Sequence, residues 1–259
     1  MLTLEQIKKS YPVNLHRFPR FILREYLQHK VLEVIYNSVN PGSLCFIGGT
    51  CLRIVHQNRR FSEDLDFDNL NMTHEQFENL ASEIELNLSK NGYETELKMV
   101  MKGAWHCYIR FPGLLFDEGL SGHRNEKILI QLDTESQQFH FEPEVYMLNR
   151  FDVFASVLTT PLPVLMAQKC FAIINRKRNK GRDFYDLVFL MGLNVKPDYA
   201  YLEAKLSITN AENLKNALLA RCAAIDMREM ASDVEPFLFE PGEVNRVINF
   251  EAIARQYPF

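Results

Sequence analysis

Leu44-Cys45-Phe46-Ile47-Gly48-Gly49-Thr50, followed a short segment later by Asp64-Leu65-Asp66-Phe67-Asp68, is the stretch that decides the fold. Its first part is a short apolar run closed by two glycines, the pattern of a buried strand entering a tight turn. From Thr50 to His56, Leu52 and Val55 stand at helical spacing. After the polar break Asn58–Glu63, the second run alternates acidic and apolar residues as a strand does. The unit read here is strand, turn, helix, strand.

On the N-terminal side, apolar residues recur at three and four from Phe21 to Val39, which predicts a helix ended by Asn40-Pro41-Gly42. On the C-terminal side, residues 73–91 again show a helical pattern. Three extended runs rich in β-formers follow: Tyr93–Met101, Trp105–Phe111 and Lys127–Asp133. Beyond Pro161 the pattern is helical only, in 162–176, 182–192, 211–225 and a last amphipathic piece near the C-terminus. The expected class is therefore α/β in the α+β sense, a mixed sheet followed by a helical domain. The boundary is expected near residue 158, giving domains 1–158 and 159–259.

Composition narrows the classes. With 259 residues and 47% apolar content the chain can bury a proper core. Its five cysteines, Cys45, Cys51, Cys107, Cys170 and Cys222, show no disulfide or zinc spacing, and a reducing cytoplasm is expected. No apolar run is long enough to span a membrane, and the opening residues lack a signal-peptide core. A net charge of −4 argues against a surface coated in basic residues for duplex binding, while leaving room for a local basic site.

Asp64 and Asp66, two apart on one strand, point to one face, and Asp68 continues it. Such a pair suits one or two Mg²⁺ ions that bridge the phosphate oxygens of a nucleotide. An acidic run by itself is more often a solvated turn, and a Gly-Gly pair by itself is more often just a turn. Their combination is rarer: glycines at Gly48 and Gly49 let backbone approach a phosphate, and the helix that follows Thr50 offers unpaired amides. A third carboxylate is expected on a neighbouring strand. In Lys127–Asp133, Asp133 falls on the face opposite Ile128, Ile130 and Leu132, where it completes a metal site, takes the proton of an attacking hydroxyl, or simply meets solvent.

In the helical part, Lys169 shares a face with Leu165, Met166 and Ile173, an uncommon place for a lysine without a partner. The basic run Arg176, Lys177, Arg178, Lys180 and Arg182 faces a triphosphate, an RNA backbone or only solvent. Asp183 reads as an N-cap of the helix that follows. His106, His123 and His140 read as isolated, and no nucleophile–histidine set is recognisable.

The blocks Phe46-Ile47-Gly48-Gly49-Thr50-Cys51-Leu52-Arg53, Arg60-Phe61-Ser62-Glu63-Asp64-Leu65-Asp66-Phe67, Lys169 and Arg182-Asp183-Phe184-Tyr185-Asp186-Leu187 resemble the AbiEii family of nucleotidyltransferases. The resemblance runs from about residue 44 to 192. It implies a polymerase β-like catalytic domain in 1–158 and a helical domain in 159–259 that contributes Lys169 and Asp183 to the site. It implies metal ligation by Asp64 and Asp66 and nucleotide binding by Gly48, Gly49, Thr50, Arg53, Arg60, Ser62, Lys169, Arg182 and Asp186; Asp133, read from the strand pattern, stays the candidate third carboxylate and metal ligand. The roles of Asp183 and Asp186 are not separated by it. The implied cofactor is Mg²⁺, with Mn²⁺ as a substitute, and the implied substrate is a nucleoside triphosphate. Relatives act as toxins, some by adding nucleotides to the acceptor end of tRNA, beside a cognate antitoxin, so these partners and a role in abortive infection are expected. A protein or small-molecule acceptor, or a nucleotide-binding module without catalysis, are the rival readings. A phosphatase with an aspartyl nucleophile is disfavoured, because such an aspartate ends an apolar strand whereas Asp64 follows a polar run.

Overall fold

The computed structural model describes residues 2–259. Among these the strands are β1 (Leu44–Ile47), β2 (Leu65–Asn69), β3 (Glu96–Lys102), β4 (Ala104–Phe111), β5 (Ile128–Glu135), β6 (Glu144–Arg150) and β7 (Val153–Thr159). The helices are α1 (Leu4–Lys8), α2 (Pro19–Tyr36), α3 (Gly48–Ile54), α4 (His74–Lys90), α5 (Leu114–Asp117), α6 (Leu162–Asn175), α7 (Gly181–Gly192), α8 (Tyr199–Leu206), α9 (Ala211–Ala223), α10 (Met227–Val234), α11 (Asn245–Ile248) and α12 (Phe250–Gln256). The chain divides into two compact units. One comprises the residues up to Cys51 with 61–138 and 143–159, and the other comprises 52–60, 139–142 and 160–259.

The first unit is built on a mixed sheet in the order β3-β4-β5-β2-β1-β7-β6. β2 runs antiparallel to β1 but parallel to β5, and β1 runs parallel to β7. One face of the sheet is mainly apolar: Phe46, Leu65, Phe67, Cys107, Ile109, Ile130 and Leu132 are all buried there. α2 packs across β5 and β7 on this sheet, and α4 packs beside α2 and against β3. Each such large side chain contributes about 1.5–3 kcal/mol by leaving water, so the alternation of apolar and polar residues fixes which face of each strand is open. That open face receives Asp66, Asp68 and Asp133.

Two features differ from the sequence reading. The long N-terminal helix starts at Pro19, with proline in its first turn, and ends at Tyr36, before the Asn-Pro-Gly signal, which instead opens a short 3₁₀ turn at Pro41–Ser43. The hairpin of β6 and β7 was not foreseen. Its strands pair from Glu144↔Thr159 to Arg150↔Val153, leaving Phe151 and Asp152 as the turn, with Phe151 at φ 59. A left-handed residue there is ordinarily glycine or asparagine, so the turn carries no sequence signal.

The second unit is helical beyond Thr160. α7 packs against α6, α10 and α11, and α9 packs against α6 and α12. Gly181, the first residue of α7, lies so close to Met230 of α10 that a Cβ there would stand 2.7 Å from the Met230 carbonyl carbon. Among the described residues no helix is long and apolar enough to cross a membrane.

Candidate active site

The Gly-Gly-Thr turn and Asp66 form one packed group. Gly48 has φ +79, a region that costs a residue with a Cβ roughly 1–2 kcal/mol. A Cβ at Gly48 would also stand 3.0 Å from both Cβ and Cγ of Asp66 and collide with its carboxylate. The turn therefore needs glycine twice, for its dihedral and for the close approach of backbone to the Asp66 side chain. Ile47 and Asp66 are direct partners across β1 and β2, which sets this approach. Thr50 is fully buried and its hydroxyl donates to the carbonyl oxygen of Asp64, tying the turn to the start of β2.

Asp64 stands one residue before the first residue of β2, outside the ladder expected for it. What holds it is the segment just upstream. Phe61 is buried and stacks on Phe21 with centroids 5.1 Å apart, and its edge meets Phe18 at 5.6 Å. From α2, the buried Gln28 amide donates to the carbonyls of Ser62 (3.1 Å) and Glu63 (2.8 Å), and Arg24 pairs with the Glu63 carboxylate at 2.7 Å. The polar run before Asp64 is thus a strap fastened to a helix, with both aspartates half-buried at its end.

Asp133 is the direct partner of Asp66 on the parallel neighbour β5, so the two carboxylates stand side by side on the open face. His106 on β4 is the partner of Asp133 on its other side. Its Nδ1 lies 2.6 Å from Asp133 Oδ1 and, against an ionised carboxylate, acts as donor. The Gln131 amide donates to both Asp133 oxygens at 2.9 Å. His106, read as isolated from the sequence, is therefore the third member of the row Asp66, Asp133, His106. The signal that would have found it is the strand register, which places residue 106 opposite 133. Asp68, two residues further along β2, is buried and accepts from the backbone N–H of Gln137 at 2.8 Å.

Among the described residues no group of three or more histidines, cysteines or carboxylates is assembled as a metal cage. Asp64 and Asp66 present two half-buried carboxylates, hard oxygen donors beside a backbone turn, and Asp133 is hydrogen-bonded to His106 and Gln131. That arrangement fits Mg²⁺, which keeps much of its water, takes one or two carboxylates and completes its shell with substrate phosphates.

The second unit holds the other block of motif residues. Asp186 is fully buried and accepts from Arg60 Nε (2.6 Å) and Nη2 (2.7 Å) and from Asn58 Nδ2 (2.8 Å), and Lys169 Nζ lies 2.8 Å from it. Lys169 also pairs with Asp183 at 3.0 Å, and Asp183 with Arg176 at 2.6 Å. Burial opposes the Lys169 charge, but Asp186 and Asp183 outweigh it and hold the ammonium above its ordinary pKa. Burial also opposes the charge of Asp186, yet Arg60 and Lys169 bring its carboxyl below the usual range. Arg60 and Asp186, grouped with nucleotide binding by the resemblance, are buried on each other in a closed, bidentate pair. Arg53 donates to the Asn58 carbonyl at 3.1 Å and lies over the Phe239 ring, and Arg182 lies over Phe237, each 4.7 Å from the centroid. Asp183 is not the cap of its helix. α7 starts at Gly181 after Lys180, and the Asp183 carboxylate is taken by Lys169 and Arg176 instead. Arg176, Lys177, Arg178 and Lys180 are exposed.

Residues 30–255 match the AbiEii family, the nucleotidyl transferase toxin of a type IV toxin–antitoxin system. The chain belongs to the AbiEii family. As an AbiEii nucleotidyl transferase it carries out nucleotidyl transfer, and its family is that of a toxin–antitoxin pair. Among solved structures, JHP933 from Helicobacter pylori aligns with a TM-score of 0.55 at 17% identity over 91% of this chain and 90% of its own. A candidate nucleotidyltransferase from H. pylori aligns with a TM-score of 0.57, also at 17% identity, over 91% and 93%. At such identity these likenesses are of fold. No curated protein matches the chain. Within the AbiEii chain, the family blocks thus fall on two groups: the glycine turn with Asp64 and Asp66, and the ion cluster of Arg60, Lys169, Asp183 and Asp186.

Proposed function

We propose that this AbiEii protein transfers a nucleoside monophosphate from a nucleoside triphosphate to the 3′ hydroxyl of an RNA, with the acceptor end of tRNA as target, in a divalent-metal-dependent reaction. The observation that carries the reading is the close packing of the Gly48 turn on the Asp66 carboxylate, which brings backbone fit for phosphate next to a metal-binding acid. Asp64 and Asp66 would hold the metal. A Mg²⁺ ion bound by them supplies Lewis-acid stabilisation of the charge that develops on the phosphate oxygens.

The chain's own groups do the rest. The backbone of Gly48, Gly49 and Thr50 receives the triphosphate. Asp133, held by His106 and Gln131, takes the proton of the attacking hydroxyl. The hydroxyl oxygen bonds to the α-phosphorus as the bond to the bridging oxygen breaks, and pyrophosphate leaves. Within the second unit, Lys169 is kept charged by Asp186 and Asp183. Transfer to RNA is favoured over a protein or small-molecule acceptor by the family's tRNA-directed members and by the exposed basic run at Arg176–Lys180. In the cytoplasm, such a reaction on tRNA would halt translation and serve abortive infection, with a cognate antitoxin restraining it.

The test is incubation of purified protein with total bacterial RNA, Mg²⁺ and each α-³²P-labelled nucleoside triphosphate in turn, beside Asp66→Ala. Label should enter tRNA-sized RNA with the intact protein alone, and should vanish with chelator. Equal labelling by Asp66→Ala would refute the site, and label confined to protein would refute the acceptor.

A further inference from the structure

The open face of the sheet does not end at the carboxylates. Strand register places three parallel rows on it. The first runs Asp66, Asp133, His106, Val100 across β2, β5, β4 and β3. The next runs Gln131, Tyr108, Lys98, and the third Leu129, Arg110, Glu96. Along β4 the open face therefore reads His106, Tyr108, Arg110, leading directly away from Asp133. These side chains touch one another: the His106 and Tyr108 rings are 6.2 Å apart at 33°, and the Arg110 guanidinium lies 5.6 Å from the Tyr108 centroid. All three are only half-buried.

The charge on this part of the face is opposite to that of the chain as a whole. On the two rows beyond the carboxylate row, Lys98 and Arg110 stand with Lys127 at the border against Glu96, and the Lys127 ammonium is spent on Glu96 at 2.7 Å; the carboxylate row itself, with Asp66 and Asp133, is acidic. In a chain of net charge −4, a patch with surplus cations around the Tyr108 ring, next to His106 and the carboxylate row, matches what single-stranded RNA requires. Bases stack on flat rings and on guanidinium planes, while lysine and arginine meet the phosphates.

We infer that Tyr108 and Arg110, with Lys98, form the acceptor platform, on which the last unpaired nucleotides of an RNA 3′ end lie so that the terminal hydroxyl reaches Asp133. The inference rests on the RNA-acceptor reading above and adds to it the residues that hold the acceptor. Tyr108 stacks a base, Arg110 stacks beside it or meets a phosphate, and Lys98 meets the backbone.

The experiment uses the full chain and an eight-nucleotide single-stranded RNA with a free 3′ hydroxyl and a 5′ fluorescein. Binding is read by anisotropy across a salt series, and transfer to total RNA is read separately with labelled nucleoside triphosphate. Tyr108→Ala and Arg110→Ala should each weaken oligonucleotide binding and raise the KM for RNA about tenfold, in line with stacking losses of roughly 1–3 kcal/mol per base. The KM for the nucleoside triphosphate should stay unchanged. Tyr108→Phe should behave as wild type, and the exposed Lys98→Ala should lower the salt slope by roughly one. Wild-type labelling of RNA with no change of RNA binding or KM in Tyr108→Ala, Arg110→Ala or Lys98→Ala would overturn the platform and leave the acceptor class standing. A wild-type protein that neither binds nor labels RNA would overturn both.

Discussion

Gly48→Ala tests the central geometry of the site, and Gly92→Ala is its natural control. Both glycines have positive φ, +79 and +87, so an alanine at either meets the same backbone penalty of roughly 1–2 kcal/mol. They differ in what the new methyl meets. At Gly92 nothing lies within 4 Å, whereas at Gly48 the methyl runs into the Asp66 side chain. If the turn holds its place, the crowding adds about 1–3 kcal/mol; if Asp66 swings away, the stability cost stays near that of Gly92→Ala but the carboxylate is lost from its position. A displacement of about 1 Å in a reacting group is worth on the order of 100-fold in rate. Gly48→Ala should therefore lose at least that much activity in the labelling assay, while Gly92→Ala keeps the wild-type rate and melts only a few degrees lower. Pairing Gly48→Ala with Asp66→Ala, which removes Cγ and both oxygens, should shrink any extra stability cost. A Gly48→Ala protein with a rate within a few-fold of wild type would refute the packing of turn against carboxylate.

Two other outcomes follow from the hydrogen bonds. The Asp186 carboxyl has a folded pKa below its unfolded value of about 3.9, so its pairing stabilises at pH above that value and is lost as pH falls towards the folded pKa; in urea titrations Asp186→Asn should be less stable than wild type by about 3–5 kcal/mol at pH 7, with the gap closing in acid, and a gap independent of pH would count against an ionised Asp186. His106→Leu should lower kcat about 10- to 100-fold at unchanged KM for the triphosphate, and His106→Asn, which keeps a donor near the Nδ1 position, should recover most of it; an equal loss in both variants would show that the hydrogen bond to Asp133 is not what matters.

The strand–turn–helix–strand unit was legible because each of its signals is local. Gly-Gly closes an apolar run, and alternation in Asp64–Asp68 sets which side chains share a face. The side of β5 on which Asp133 stands was legible for the same reason, since Ile128, Ile130 and Leu132 are all buried. What was not legible depends on pairing between distant strands. His106 carries no motif, and its role arises only because β4 lies antiparallel to β5 in the register that sets 106 against 133. The hairpin of β6 and β7 lacked a turn residue of the expected kind, as Phe151 takes the left-handed position. Likewise, Asp183 looks like a helix cap until the two cations that claim its carboxylate are seen.

The two most specific sequence blocks, the one opening at Arg60 and the one closing at Asp186–Leu187, stand more than a hundred residues apart, and the structure gives their association a physical basis. Arg60 and Asp186 are the two halves of a single buried, bidentate ion pair, with Asn58 and Lys169 filling the remaining acceptor sites of the carboxylate. A lone charge left in that position is costly, so neither residue can be lost without the other being stranded. Asp64 and Asp66, only a few residues beyond Arg60, are half-buried at the open face, where a carboxylate stays within reach of a ligand. Residues that stand together in one motif therefore do different work. Substitutions at Arg60 and Asp186 should register first in stability and only through it in rate, whereas substitutions at Asp64 and Asp66 should register in rate with the fold intact. A motif match alone cannot make that division, because it records which residues occur together and not whether each one's partner is another side chain or a substrate.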